Sequence, residues 1–166
     1  MNSSRSLALI FYLILMLTQI EVSLAQSETK VGVLSAEEIM ANDHIFKIYK
    51  ERYKPDSGAV DYLSNYSDSL HIKVFFGNWC RESKKYIPGL MKTLEMAGND
   101  KIDVEYVGVD VTKKSPKSFL NKYEIKYIPI VVVLKGRSEI ERIVEKPHRL
   151  IETDLVQMVM KAEKKE

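Results

Sequence analysis

An α/β fold with a mixed sheet flanked by helices is what the order of elements predicts. From His71 onward, apolar strand-like runs alternate with amphipathic stretches in the order strand, helix, strand, helix, strand, strand, helix. The first strands are joined through helices and so run parallel. The last two meet at a tight turn around Gly136 and so run antiparallel. Ahead of this block lies a more helical extension, and ahead of that an apolar leader.

Residues 1–25 read as a signal peptide. Met1 to Ser6 is short and polar with one cation, Arg5, and Leu7 to Ile20 is apolar apart from Thr18 and Gln19. Ser23-Leu24-Ala25 supplies the small-x-small pattern of a cleavage site, with Gln26 as the mature start. The run falls short of the roughly 20 apolar residues a membrane span needs. The expectation is therefore an exported protein, periplasmic or secreted, with no stable membrane insertion after cleavage. An uncleaved anchor is the competing reading, since Glu21 lies close to the cut.

Residues 26–58 read as a leader and helical extension, and 59–166 as the main domain. Gln26 to Leu34 is expected to be loose. Ser35-Ala36-Glu37-Glu38 is a capping box that opens a helical region ending at Lys54-Pro55, with a division at Asn42-Asp43. Ile45, Phe46, Ile48, Tyr49 and Tyr53 give it an apolar side. Asp56-Ser57-Gly58 is turn chemistry, and Ala59 to Leu70 reads as another helix. His71 to Phe76 is apolar and aromatic enough for a buried strand. Arg81 to Ala97 carries Ile87, Leu90, Met91, Leu94 and Ala97 at helical spacing, with Pro88 inside it and Gly98 placed to end it. Asp103 to Val109 is the next strand. Ser115-Pro116 reads as an N-cap with proline at the first helical position. Ile128 to Leu134 and Glu139 to Val144 form the hairpin strands. The last helix, Arg149 to Lys161, turns Ile151, Leu155, Met158 and Val159 inward.

The 25 basic and 23 acidic residues leave a formal charge of +2, which losing Arg5 and Glu21 together does not alter. That balance gives no reason to expect nucleic acid or anionic lipid as partner. His44, His71 and His148 lie on separate elements without metal-ligand spacing to the cysteine, and there is no phosphate-binding glycine loop. No metal and no cofactor is expected. Asp103, Glu105 and Asp110 read as surface, and Tyr62, Tyr66, Phe75 and Phe76 as core.

The chain has one cysteine, Cys80. No intrachain disulfide can form, and an odd thiol in an exported protein is reactive or paired between molecules, which allows a Cys80-linked dimer. Cys80 falls where a strand ends and a helix begins. There the unpaired N–H groups of the first turn favour an anion, and a thiol of ordinary pKa near 8.5 can fall to roughly 3.5–7.5. A small buried thiol packed like alanine is the plainer alternative.

Four features resemble the thioredoxin-like family across Ala59 to Lys161. Trp79-Cys80-Arg81-Glu82-Ser83 is similar to its W-C-x-x-C motif with serine in the second sulfur's place. Pro88 stands where that family's active-site helix carries its proline. Tyr127-Ile128-Pro129-Ile130 is similar to the segment bearing the cis proline, and the hairpin and closing helix follow in the family's order. Trp79 to Lys84, with Gly108-Val109-Asp110, Lys113-Lys114-Ser115 and Glu141 to Glu145, also looks like an exported bacterial subgroup.

The resemblance implies a thioredoxin-like three-layer sandwich. Cys80 would be the attacking thiolate, Trp79 its shielding neighbour, and Pro129 a cis proline that opens the backbone of Ile128 to an extended peptide. Partners would be protein or small-molecule thiols and disulfides. The departures are also informative. The family's buried carboxylate falls on Val74 and its lysine partner near Tyr106. Arg81 favours a thiolate beside it while Glu82 opposes one, so the sequence does not fix the sign of their net effect.

With Ser83 in the resolving place, a mixed disulfide cannot be released from within the chain. Ser83 could hydrogen-bond the sulfur or satisfy a first-turn N–H. Three functions remain open: a monothiol oxidoreductase completed by an external thiol, a non-catalytic module that captures proteins through Cys80 or the groove beside Pro129, and a scaffold with a decayed site.

Overall fold

The computed structural model describes residues 29–164, so the signal-peptide reading lies outside the described residues. Five strands form one mixed sheet in the order β1-β3-β2-β4-β5. They are β1 (Gly32–Leu34), β2 (Leu70–Phe76), β3 (Ile102–Gly108), β4 (Ile130–Lys135) and β5 (Ser138–Val144). β2 and β3 are parallel, β4 is antiparallel to β2 and to β5, and β1 is antiparallel to β3. Among the described residues six helices flank the sheet: α1 (Ala36–Asn42), α2 (His44–Arg52), α3 (Ser57–Ser64), α4 (Arg81–Ala97), α5 (Lys117–Lys122) and α6 (Ile151–Glu163).

Alternation along each strand divides the core in two. Ile72, Val74, Phe76, Tyr106, Val131, Val133 and Ile143 face α1–α4 and α6. Phe75, Val107, Ile130, Val132 and Leu134 face the other way, where Leu120 of the short α5 and Ile125 cover them. Among the described residues no helix packs over the far half of that second face. It carries cross-strand ion pairs instead: His71 Nδ1 lies 3.3 Å from Asp103 and Lys73 Nζ 2.7 Å from Glu105, each on registered neighbours. β2 is therefore buried on both sides at its Phe75-Phe76 end and half-solvated at its start.

Several elements depart from the reading of the chain. The expected loose leader ends in β1, because Gly108 brings the backbones together: a Cβ there would lie 2.2 Å from the Lys30 carbonyl oxygen. The capping box is formed, with Ser35 Oγ accepting from the Glu38 N–H and Glu38 accepting from the Ser35 N–H. Asp43 does divide the next helices, its carboxylate accepting from the N–H groups of Ile45 and Phe46. Ile45 and Tyr49 are nonetheless exposed, and Phe46 alone in α2 is buried. Asp56 is an N-cap rather than part of a free turn, so α3 begins at Ser57 and stops at Ser64, leaving Leu70 to open β2. Ser115 caps nothing: Pro116 occupies the N-cap position of α5, and the Ser115–Pro116 bond is cis.

The N-terminal helices are tied to the end of the chain. The buried Glu152 carboxylate of α6 accepts from the Tyr53 hydroxyl at 2.8 Å and the Asp56 N–H at 2.9 Å.

Candidate functional site

The site is built at one end of the sheet. β2 and β3 finish there, β4 starts there and β5 ends there, so segments 77–80, 109–116, 123–129 and 145–150 all emerge on the same side. Cys80 is the N-cap of the 17-residue α4 and makes no side-chain capping bond. Its N–H donates to the Gly77 carbonyl at 2.9 Å, a tight turn that swings the chain from β2 into the helix. The sulfur is half-buried and leans on the second core cluster. The thiol donates to the Ile128 carbonyl, 3.7 Å from Sγ. Ile128 and Pro129 are joined by a cis bond. The structure thus brings Cys80, Ile128 and Pro129 together from β2–α4 and from the start of β4.

Trp79 stands over this turn, 36% exposed, with its ring N–H donating to the Val109 carbonyl at 3.0 Å. Gly77 is what lets it lie there. A Cβ at Gly77 would sit 2.7 Å from the indole and 3.0 Å from the Ile128 side chain. Arg81 is exposed in the first turn of α4. Ser83 is fully buried, and its Oγ accepts from the Gly77 N–H at 3.2 Å. Its backbone partner therefore belongs to the turn ahead of α4 and not to the helix's own first turn. Val74 and Tyr106 are registered neighbours packed in the first core, so the position of the family's carboxylate–lysine pair is apolar here.

Sequence reasoning missed three contributors. Asp110, read as surface, is the hub of its loop: its carboxylate accepts from the N–H groups of Thr112, Lys114 and Ser115 and from the Thr112 hydroxyl. The Thr112 hydroxyl first, and then these backbone donors, hold the Asp110 carboxyl at a pKa of about 2. The Asp-x-Thr spacing was the available signal, since it is an Asx-turn pattern. Glu145 is the second: its N–H donates to the Pro129 carbonyl at 2.7 Å and pins the loop after β5 beside the cis bond. The third is backbone shape. Lys113, Glu124 and Glu145, the non-glycine residues with positive φ among those described, sit one in each of the three loops around the Cys80 turn. Such conformations persist where the surroundings hold them and concentrate at functional sites.

No known family profile matches the chain, and neither does any curated protein. Solved structures do resemble it. A protein of unknown function from Pseudomonas aeruginosa superposes with a TM-score of 0.56 at 12% identity, over 74% of this chain and 84% of that one. An HIV epitope-scaffold protein gives 0.50 at 14% identity, over 70% and 73%. Thioredoxin-2, described as a component of malaria parasite protein secretion machinery, gives 0.45 at 22% identity, over 58% and 86%. The fold is thioredoxin-like: the strand order, the parallel β2–α4–β3 unit and the antiparallel β4–β5 pair closed by α6 define it. Among the described residues no helix is long and apolar enough to cross a membrane.

Proposed function

We propose that the protein is an exported thiol–disulfide oxidoreductase of monothiol type. The observation that carries this is the placement of the chain's single thiol: half-exposed at the start of α4, with its sulfur beside the Ile128 carbonyl and Pro129. The first-turn N–H groups of α4 lie next to the point where negative charge develops during exchange.

Exchange then runs in two balanced steps. The Cys80 thiolate attacks one sulfur of a substrate disulfide; a bond forms between Cys80 and that sulfur, and the other sulfur leaves as a thiolate. An external low-molecular-weight thiolate next attacks the substrate sulfur of the mixed disulfide, forms a new disulfide with it, and returns Cys80 as a thiolate. Ile128 and Pro129 frame an extended substrate segment, Trp79 covers the turn, and Arg81 offers a nearby positive charge. Ser83 takes no part in resolution, because a hydroxyl cannot displace the sulfur and this one is engaged with Gly77. Signal cleavage after Ala25, a domain spanning 59–166 and an accessible Cys80-linked dimer belong to the same reading.

The test uses the full chain and a small synthetic disulfide. Intact mass should show one adduct on Cys80, formed at least about tenfold faster than in the urea-unfolded chain and removed by added small thiol. Cys80→Ser should abolish it while leaving the fold intact. A rate no higher than that of the unfolded chain sinks the proposal. An adduct that survives excess thiol makes the protein a covalent binding module instead.

A further inference from the structure

The four loops at the Cys80 end form one continuous surface because three hydrogen bonds knit them. Trp79 bonds to Val109, the Cys80 thiol to Ile128, and the Glu145 N–H to Pro129. These loops carry both exposed apolar side chains and cations. Trp79, Val111, Tyr127 and Val144 are all large hydrophobic side chains exposed on it. The same loops and the first turn of α4 carry Arg81, Lys84, Lys113, Lys114, Lys126 and Lys146. All of these are exposed except Lys84, which is half-buried, and none is ion-paired with a carboxylate among the described residues.

The carboxylates in the same segments offset part of this charge and leave a cationic excess. Asp110 is occupied by three backbone N–H groups and a hydroxyl, and Glu82 has one oxygen sealed from solvent. Glu124 and Glu145 are the remaining ones. The six cations stand against these four carboxylates, a formal excess of +2 in these segments and the first turn of α4. A surface of one sign raises the encounter rate with ligands of the other sign and disfavours its own.

We propose that this surface docks a protein partner through an acidic segment, in which a cysteine is flanked by apolar residues for Trp79 and Tyr127 and by Asp or Glu for the lysines. The covalent step rests on the reading of Cys80 given above; the docking step requires no sulfur chemistry. In the covalent step the Cys80 thiolate takes the partner's sulfur from its disulfide, and the second sulfur of that disulfide departs as a thiolate.

Two synthetic peptides test it. They share apolar residues around a cysteine held in disulfide linkage to a small aromatic thiol, and differ in flanking Asp/Glu or flanking Lys. Binding is measured by fluorescence anisotropy on the full chain carrying Cys80→Ser, so that affinity is read apart from reaction. The acidic peptide should bind about tenfold more tightly at low salt, and the advantage should shrink to less than about threefold near 0.5 M salt. Lys113→Glu with Lys114→Glu should erase the preference without changing the far-ultraviolet circular dichroism, and Lys126→Glu with Lys146→Glu provides an independent second variant. Equal or weaker binding of the acidic peptide overturns the proposal, as does a preference indifferent to salt and to both charge reversals. Selective docking with no exchange at Cys80 would leave this proposal standing and overturn the oxidoreductase reading; exchange without selectivity would do the reverse.

Discussion

At the scale of single residues, the site depends on what Gly77 omits. The Trp79 indole lies against the position a Cβ would occupy, 2.7 Å away, and the ring's N–H is committed to Val109. Gly77→Ala must therefore move the indole or the Ile128 side chain, at a cost of about 1–3 kcal/mol for overpacking. Trp79 is the chain's single tryptophan, so emission excited selectively from tryptophan reports on it alone. The variant should shift the emission and slow adduct formation at Cys80 several-fold. Unchanged emission with unchanged reactivity would show that the indole does not govern access to the sulfur. The need for glycine here was not legible in the sequence, because the ring that fills the space arrives two residues later through a turn.

At the scale of elements, the Tyr53–Glu152–Asp56 contact joins the N-terminal helices to α6. Burial first, and then the hydrogen bond and charge of Glu152, push the Tyr53 phenol above its ordinary range. A phenol whose pKa is raised in the folded state adds stability that is fully present below its unfolded value near 10 and is lost as pH rises beyond it. Urea denaturation should thus show stability falling above about pH 10, with a shallower fall in Tyr53→Phe. At neutral pH that variant should lose about 2 kcal/mol, since a hydrogen bond to a carboxylate is removed. An identical alkaline profile in both proteins would refute the coupling. Helix ends followed the sequence where capping chemistry was local, as at Ser35 and Asp43. They departed where a neighbouring strand claimed the residues, as at Leu70, which bonds to Lys101 across the sheet.

At the scale of the molecule, the sheet is covered unequally. Five helices pack one face and one short helix the other, with ion pairs between β2 and β3 where a helix is missing. β1 closes the edge beside β3 and rests on the close approach at Gly108. Gly108→Ala should push the backbone at Lys30 away and strip amide protection from residues 32–34, while Leu70–Phe76 stays protected in hydrogen exchange. Retained protection at 32–34 would mean that the edge strand tolerates the shift.

The sequence by itself determined the order of strands and helices from β2 to α6 and the thiol at a strand–helix junction. Those follow from periodicity, caps and turns, which act over a few residues. Tertiary structure decided the rest: that the leader supplies β1, that Ser83 is taken by Gly77, that Asp110 organises its loop, and that cation-bearing segments distant in the chain emerge at the end of the sheet that carries Cys80. Each of these is a meeting of distant residues, and such meetings are set by which chain ends the sheet gathers on one side, a property no local pattern encodes.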